Sequence, residues 1–433
     1  MKYLLAILPI FIMLTLAPAL MAMPSNVYAQ NDAEQSISQI QGAVQLGICL
    51  SGIDTFISCN NLSVQNQENS GSNAANQNGG YGKYSGNSAI QAIGQEQDAR
   101  QLAVCVSGDG TFLSCNNLNV QNQENSGSNA LLQNGGYGKY SGNSAIQAIG
   151  QEQTSRQGAF VVSGDDIELS GNNLNVQNQE NSGSNALLQN GGNGKGSGNS
   201  ADQAIGQSQS SNQKSGCVSG GDVNESCNNL SVQNQENSGS NAANQNGGNG
   251  KGSGNSADQA IGQSQSSNQN AQCVSGKDAI VSCNNVAFQE QVNSGSNVLA
   301  QFGLDDEEEA EASSSGGYNG KYHGKSNGNV ASQAIEQIQS SIQESSVVTA
   351  GSSIFSGNNL GIQLQDNEGG NAGAQFNEGG SSSSDQALAQ SQASESENTE
   401  QADESGESGA RTSDSDGSSD ESSGSDESSG SDE

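Results

Sequence analysis

Leu62, Leu118, Leu174, Leu230 and Val286 stand 56 residues apart, and each follows a pair of asparagines. A period kept this strictly puts each copy in an equivalent place in one array, so the fold is a stack of copies rather than a set of unlike domains. A sixth copy is displaced, with Leu360 lying 74 residues after Val286, which is 56 plus 18. The extra residues fall between Gln301 and Lys325 and carry Asp305, Asp306, Glu307, Glu308, Glu309 and Glu311. Such an acidic, Gly- and Ser-rich stretch, about residues 303–324, is expected to form a solvated loop. Half a copy opens the array, since Gln35, Gln39 and Gln41 precede Gln91, Gln95 and Gln97 by the same 56 residues. Asp385 to Gln392 echo Asp202 to Gln209 at its end. Repeats therefore occupy residues 30–392, leaving no separate span for a catalytic domain.

Within the copy from Leu118 to Asn173, Asn, Gln, Ser and Gly fill 31 of 56 positions. A unit this polar cannot bury a core alone. Its apolar residues alternate with polar ones: Leu118 and Val120 do so, and Ala145 and Ile149 share a side with Asn143, Gln147 and Gln151. That period of two predicts strands, and Gly135-Gly136-Tyr137-Gly138 predicts a turn. Gln147 to Ile149 also suits a helix by residue type. Stacked copies would align their amides in ladders from layer to layer. The expected fold is all-β, with 56-residue repeats stacked as a β-solenoid.

Cys49 and Cys59, Cys105 and Cys115, Cys217 and Cys227, and Cys273 and Cys283 each lie ten residues apart. The third copy has Val161 and Gly171 at these two places and the sixth has Val347 and Gly357, so both partners disappear together. Joint loss predicts a local disulfide in each copy that has the pair. The spacing lacks the two-to-four-residue gaps of a zinc ribbon. Gly and Asp midway between the cysteines predict a pinned hairpin, and disulfides predict an oxidising compartment.

The chain opens with Lys2, an apolar run from Leu4 to Met23 and the small-residue ending Val27-Tyr28-Ala29. This reads as a signal peptide over residues 1–29, removed on export so that no membrane span remains. The expected localisation is secreted, extracellular or at a cell surface. With 12 Lys and Arg against 46 Asp and Glu, the net charge is -34, which disfavours nucleic acid and anionic lipid. Residues 393–433 are rich in Ser, Asp and Glu and are expected to be a disordered, repulsive tail with at most weak calcium binding.

No catalytic constellation emerges. The single histidine, His323, lies in the insertion, and the Gly-rich stretches lack the phosphate-loop spacing; the chain is therefore expected not to be an enzyme and to need no cofactor. The candidate surface-binding residues are the Tyr-Lys turns Tyr81, Lys83 and Tyr84; Tyr137, Lys139 and Tyr140; and Tyr318, Lys321 and Tyr322. Tyrosine faces there are suited to stack on cell-surface or matrix polysaccharide. Asn61, Asn224 and Asn229 head Asn-x-Ser glycosylation sequons.

In residue type the array resembles the curlin family, whose pattern is Ser-x5-Gln-x-Gly-x2-Asn-x-Ala-x3-Gln. Asn87-x-Ala89 and Asn143-x-Ala145 match its second half, whereas Gln147 and Gln151 fall on either side of the place where the pattern puts its glutamine. The resemblance implies a curlin-like β-stack as the alternative to the solenoid, and self-association into an extracellular fibre or biofilm matrix by amyloid-like strand stacking. The alternative expectation is a monomeric adhesin that binds polysaccharide through the Tyr-Lys turns.

Overall fold

The computed structural model describes residues 31–79, 86–136, 142–191, 198–247, 254–303, 329–377 and 382–402. They form β-strands joined by bends and turns, with no helix among the described residues. The first rung contains β1 (Asn31–Ser51), β2 (Thr55–Phe56), β3 (Asn61–Asn69) and β4 (Asn73–Asn78). The second repeats it with β5 (Asn87–Ser107), β6 (Thr111–Phe112), β7 (Asn117–Asn125) and β8 (Asn129–Asn134). The third has β9 (Asn143–Ser163), β10 (Ile167–Glu168), β11 (Asn173–Asn181) and β12 (Asn185–Asn190). The fourth has β13 (Ser200–Ser219), β14 (Val223–Asn224), β15 (Asn229–Asn237) and β16 (Asn241–Asn246). The fifth has β17 (Ser256–Ser275), β18 (Ala279–Ile280), β19 (Asn285–Asn293) and β20 (Asn297–Gly303). The sixth has β21 (Asn329–Thr349), β22 (Ser353–Ile354), β23 (Asn359–Asn367) and β24 (Asn371–Asn377), and β25 (Ser382–Ala402) stands alone above it.

Each 56-residue copy is thus a single turn of a β-solenoid. Every strand between the two ends pairs in parallel with its equivalents in the rungs below and above, so that Gln91 lies beside Gln35 and Gln147. One wall is a continuous seven-stranded sheet from β1 to β25, while the corner and the opposite wall form three six-stranded sheets. The long strands of 21 residues reach about 70 Å, and seven strands, each about 4.8 Å wide, give a height of about 34 Å. Gln147 to Ile149 belong to β9, so this stretch is strand and not helix.

The opposite wall breaks at Ser126-Gly127-Ser128, between β7 and β8. A Cβ on Gly127 would run into the carbonyl oxygen of Gly71 one rung below, so the bend stacks tightly only with glycine there.

The insertion lies where one rung passes to the next. β20 ends at Gly303 and β21 starts at Asn329, and the pairing resumes with Ser256 opposite Val330 and no change of face. The stretch expected as a solvated loop falls within residues 304–328, which lie outside the described residues, apart from Gly303, which ends β20. At the other end, β25 runs past the boundary expected at Gln392, and Ala393 to Ala402 pair with Ser340 to Thr349. The alternation of this stretch continues the last strand even though its composition is that of the tail.

The cysteine-bounded segment does not close as a hairpin. Its arms do not pair with each other; β5, β6 and β7 each pair with neighbouring rungs, and the segment turns the chain through an arch between the two walls. Leu113 and Cys115 take the left-handed conformation, with φ of 49° and 57°, and these two kinks swing the chain from one wall to the other.

Candidate functional site: amide ladders, cysteine corners and open ends

The interior between the walls is made mostly of amides. Along β9, Asn143, Ala145, Gln147, Ile149, Gln151, Gln153, Ser155 and Gln157 face inward and are buried. Buried amides cost free energy unless they are hydrogen-bonded, and the stack supplies those bonds by repetition. Gln147 Nε2 donates to Gln91 Oε1 at 2.9 Å and to the Ala186 carbonyl on the opposite wall at 3.1 Å. Gln203 does the same one rung on, at 2.7 Å to Gln147 and 3.1 Å to Ala242. Both amide hydrogens are used, one along the stack and one across it. Aliphatic columns interrupt the amides: Ile93, Ile149, Ile205, Ile261 and Ile335 stack in one, and Ala145, Leu131 and their equivalents in another.

The ladders have direction. Interior glutamines donate towards the N-terminal end, as Gln147 does to Gln91. The column through Asn69, Asn125, Asn181, Asn237 and Asn293 donates the opposite way and ends on Asn367. Opposed columns oppose their dipoles, so the core accumulates less polarity along the axis than like-directed columns would.

The four disulfides pair the cysteines as the sequence spacing requires, with Cα–Cα distances of 5.9 to 6.0 Å. Such bonds belong to oxidising surroundings. In the two copies without them, Val161 and Val347 fill the corner, and Gly171 and Gly357 take the left-handed conformation with φ of 69°. A Cβ on Gly171 would come within 2.9 Å of Val161 Cγ2, so valine at the first position requires glycine at the second.

Neither the models of known protein families, nor curated proteins, nor solved structures yield a match to this chain.

The sequence-predicted residues divide sharply. Tyr81, Lys83, Tyr84, Tyr137, Lys139, Tyr140, Tyr318, Lys321, Tyr322 and His323 lie outside the described residues, as do residues 1–29. Two of the sequons are enclosed by the stack: Asn61 donates to Asn117 at 2.9 Å, and Asn229 to Asn285 at 2.8 Å. A glycan on either would remove a ladder bond, whereas Asn224 lies on the partly exposed β14. Among the described residues no group of acids, histidines and cysteines is arranged to hold a metal. No helix among them is long and apolar enough to cross a membrane.

Both ends of the stack leave strand edges unpaired. One end presents the complete rung β1 to β4. The other is stepped, with β25 standing one strand above β22, β23 and β24. Only the incomplete last repeat in the sequence, ending near Gln392, signals this step.

Proposed function

We propose that the chain is an exported structural repeat protein that builds or decorates an extracellular fibre, sheath or biofilm matrix by strand stacking. The observation that carries this reading is a parallel, in-register stack whose outermost strands leave their backbone edges unpaired. An open edge of this kind is a template for another chain, and the amide columns behind it offer the next layer the same partners at the same spacing. The leader-like N-terminus and the disulfides favour an extracellular setting. Resemblance to the curlin family in residue type favours the same role, and the reading calls on no catalysis, cofactor or nucleic acid.

Electron microscopy of the purified chain starting at Gln30, with and without calcium and in mild acid, tests it. Ordered filaments or sheets with a strand spacing of about 4.7 Å along their axis are expected. Monodisperse particles under every condition, together with binding to arrayed polysaccharides, would overturn it in favour of an adhesin acting through the Tyr-Lys turns.

A further inference from the structure

The stepped end has an inner surface prepared for burial but left open. On β25, Gln386, Gln390 and Gln392 continue the inward glutamine columns, each donating to the rung below at 2.8 to 3.1 Å. Leu388 continues the isoleucine column above Ile335, yet it is 59% exposed where Ile335 is 1% exposed. From Ser384 to Asn398 the inward positions carry no charge, while Asp385, Glu395 and Glu397 alternate to the outer face. Across the step, Asn367 Nδ2 is enclosed without a hydrogen-bond partner; the equivalent groups of Asn69 to Asn293 all donate to the next rung. An inward apolar side chain and an orphaned amide donor both call for one more strand over β23 and β24.

We propose that this strand is β25 of a second copy, the two chains joining at their C-terminal ends about a two-fold axis that runs along the strands. The proposal deepens the self-association reading and rests on it. The step is self-complementary: β25 has 21 residues, and β23 and β24 with their bend span 19, from Asn359 to Asn377. Rotation about such an axis lays each β25 antiparallel on the partner's β23 and β24. It sets the two β25 inner faces opposite each other across one shared rung, Leu388 facing its own copy. The other occupants fit worse. A second copy docked by its complete β1-to-β4 end would leave a slot one strand high, about 4.8 Å, above β23 and β24. The chain's own residues 403–433 have eleven Asp and Glu, one Arg and no Asn or Gln, so they cannot extend an amide ladder without burying charge. Two such tails meeting at one joint repel each other, so the contact strengthens with salt or on their removal.

Every cysteine is in a disulfide, so a spin label on Ser391→Cys, on the outer face of β25, is unique. Double electron–electron resonance at high salt, on the full chain and on the chain ending at Ala402, is expected to give one distance of about 25 Å, from two walls about 10 Å apart plus two label arms. Leu388→Lys is expected to abolish that distance and the dimer mass while leaving the thermal transition in place. Filaments in which like labels stand about 34 to 38 Å apart, one stack height, would overturn this joint and leave the proposed function standing. Monomers in both forms under all conditions would overturn both. Association that needs residues 403–433 would overturn the choice of occupant.

Discussion

The positions that bear most on this fold at the scale of single residues are the ones that take left-handed backbone. Cys59, Cys115, Cys227 and Cys283 have φ of 54° to 57°, a conformation that costs an L-residue about 1 kcal/mol or more and that the disulfide holds in place. Closing so short a loop contributes about 2 to 3 kcal/mol on the chain-entropy estimate. Where the bond is missing, glycine takes the same turn without the Cβ cost and valine refills the space. The double substitution Cys105→Val with Cys115→Gly is therefore expected to lower the denaturation midpoint less than Cys105→Ser with Cys115→Ser, which keeps the backbone cost and buries two hydroxyls. Equal midpoints would show that the corner does not depend on its φ. The pairing was legible because cysteines vanish in twos; the arch was not, since Gly108, Asp109 and Gly110 are equally the residues of a hairpin turn. What separates the two is the φ of Leu113 and Cys115, residues that carry no local sign of left-handed backbone.

At the scale of the strand, register is everything, because a slip of one residue turns each inward amide outward. The stack tolerates change in whole rungs. Residues 143–198 form one period, and their removal brings β13 onto β5 with Gln203 above Gln91 and Ala201 above Ala89. That shortened chain is expected to keep its strand signal and a cooperative, slightly lower melting transition by circular dichroism. Deleting Gln151 alone is expected to do more damage than deleting all 56 residues of the period, and the reverse ranking would refute the in-register account. The alternation in β9 and the equivalence of copies could be read from the sequence. Whether one copy winds once or twice could not, because a period states where copies match and not how many turns lie between the matches. The answer lies in the length of β9, whose 21 residues run without a turn residue strong enough to break them, past Gly150 and Gly158. Both glycines stay extended and paired with neighbouring rungs.

For the whole molecule, stacking places like charges in register, one above another. Burial pushes the Glu152 carboxyl up from its ordinary 4.5, and Glu96 and Asp98 beside it push it further, against the pull of Arg156. Burial also raises Glu336. A raised carboxyl binds its proton more tightly in the folded chain than in the unfolded one, so stability is greatest below the ordinary value of 4.5 and falls as pH rises through the raised one. Thermal midpoints are expected to be higher near pH 4 than at pH 7, with Glu152→Gln narrowing the gap by raising the neutral value; a gap unchanged by that substitution would exclude Glu152 as its source. Repulsion among the acids of residues 403–433 and of the insertion acts in the same direction on association, which mild acid, salt or calcium should favour. All of this depends on successive copies lying one strand apart. Ser200 and Ser256 pair on adjacent strands, and both side chains are exposed. Spin labels on Ser200→Cys and Ser256→Cys should therefore give the strong dipolar broadening of centres about 5 Å apart along the stack, which weakens when the second label is moved to residue 330, two strands from the first. Spectra equal to the sum of the two single labels, as for centres more than about 20 Å apart, would contradict the one-rung-per-repeat stack that the account rests on.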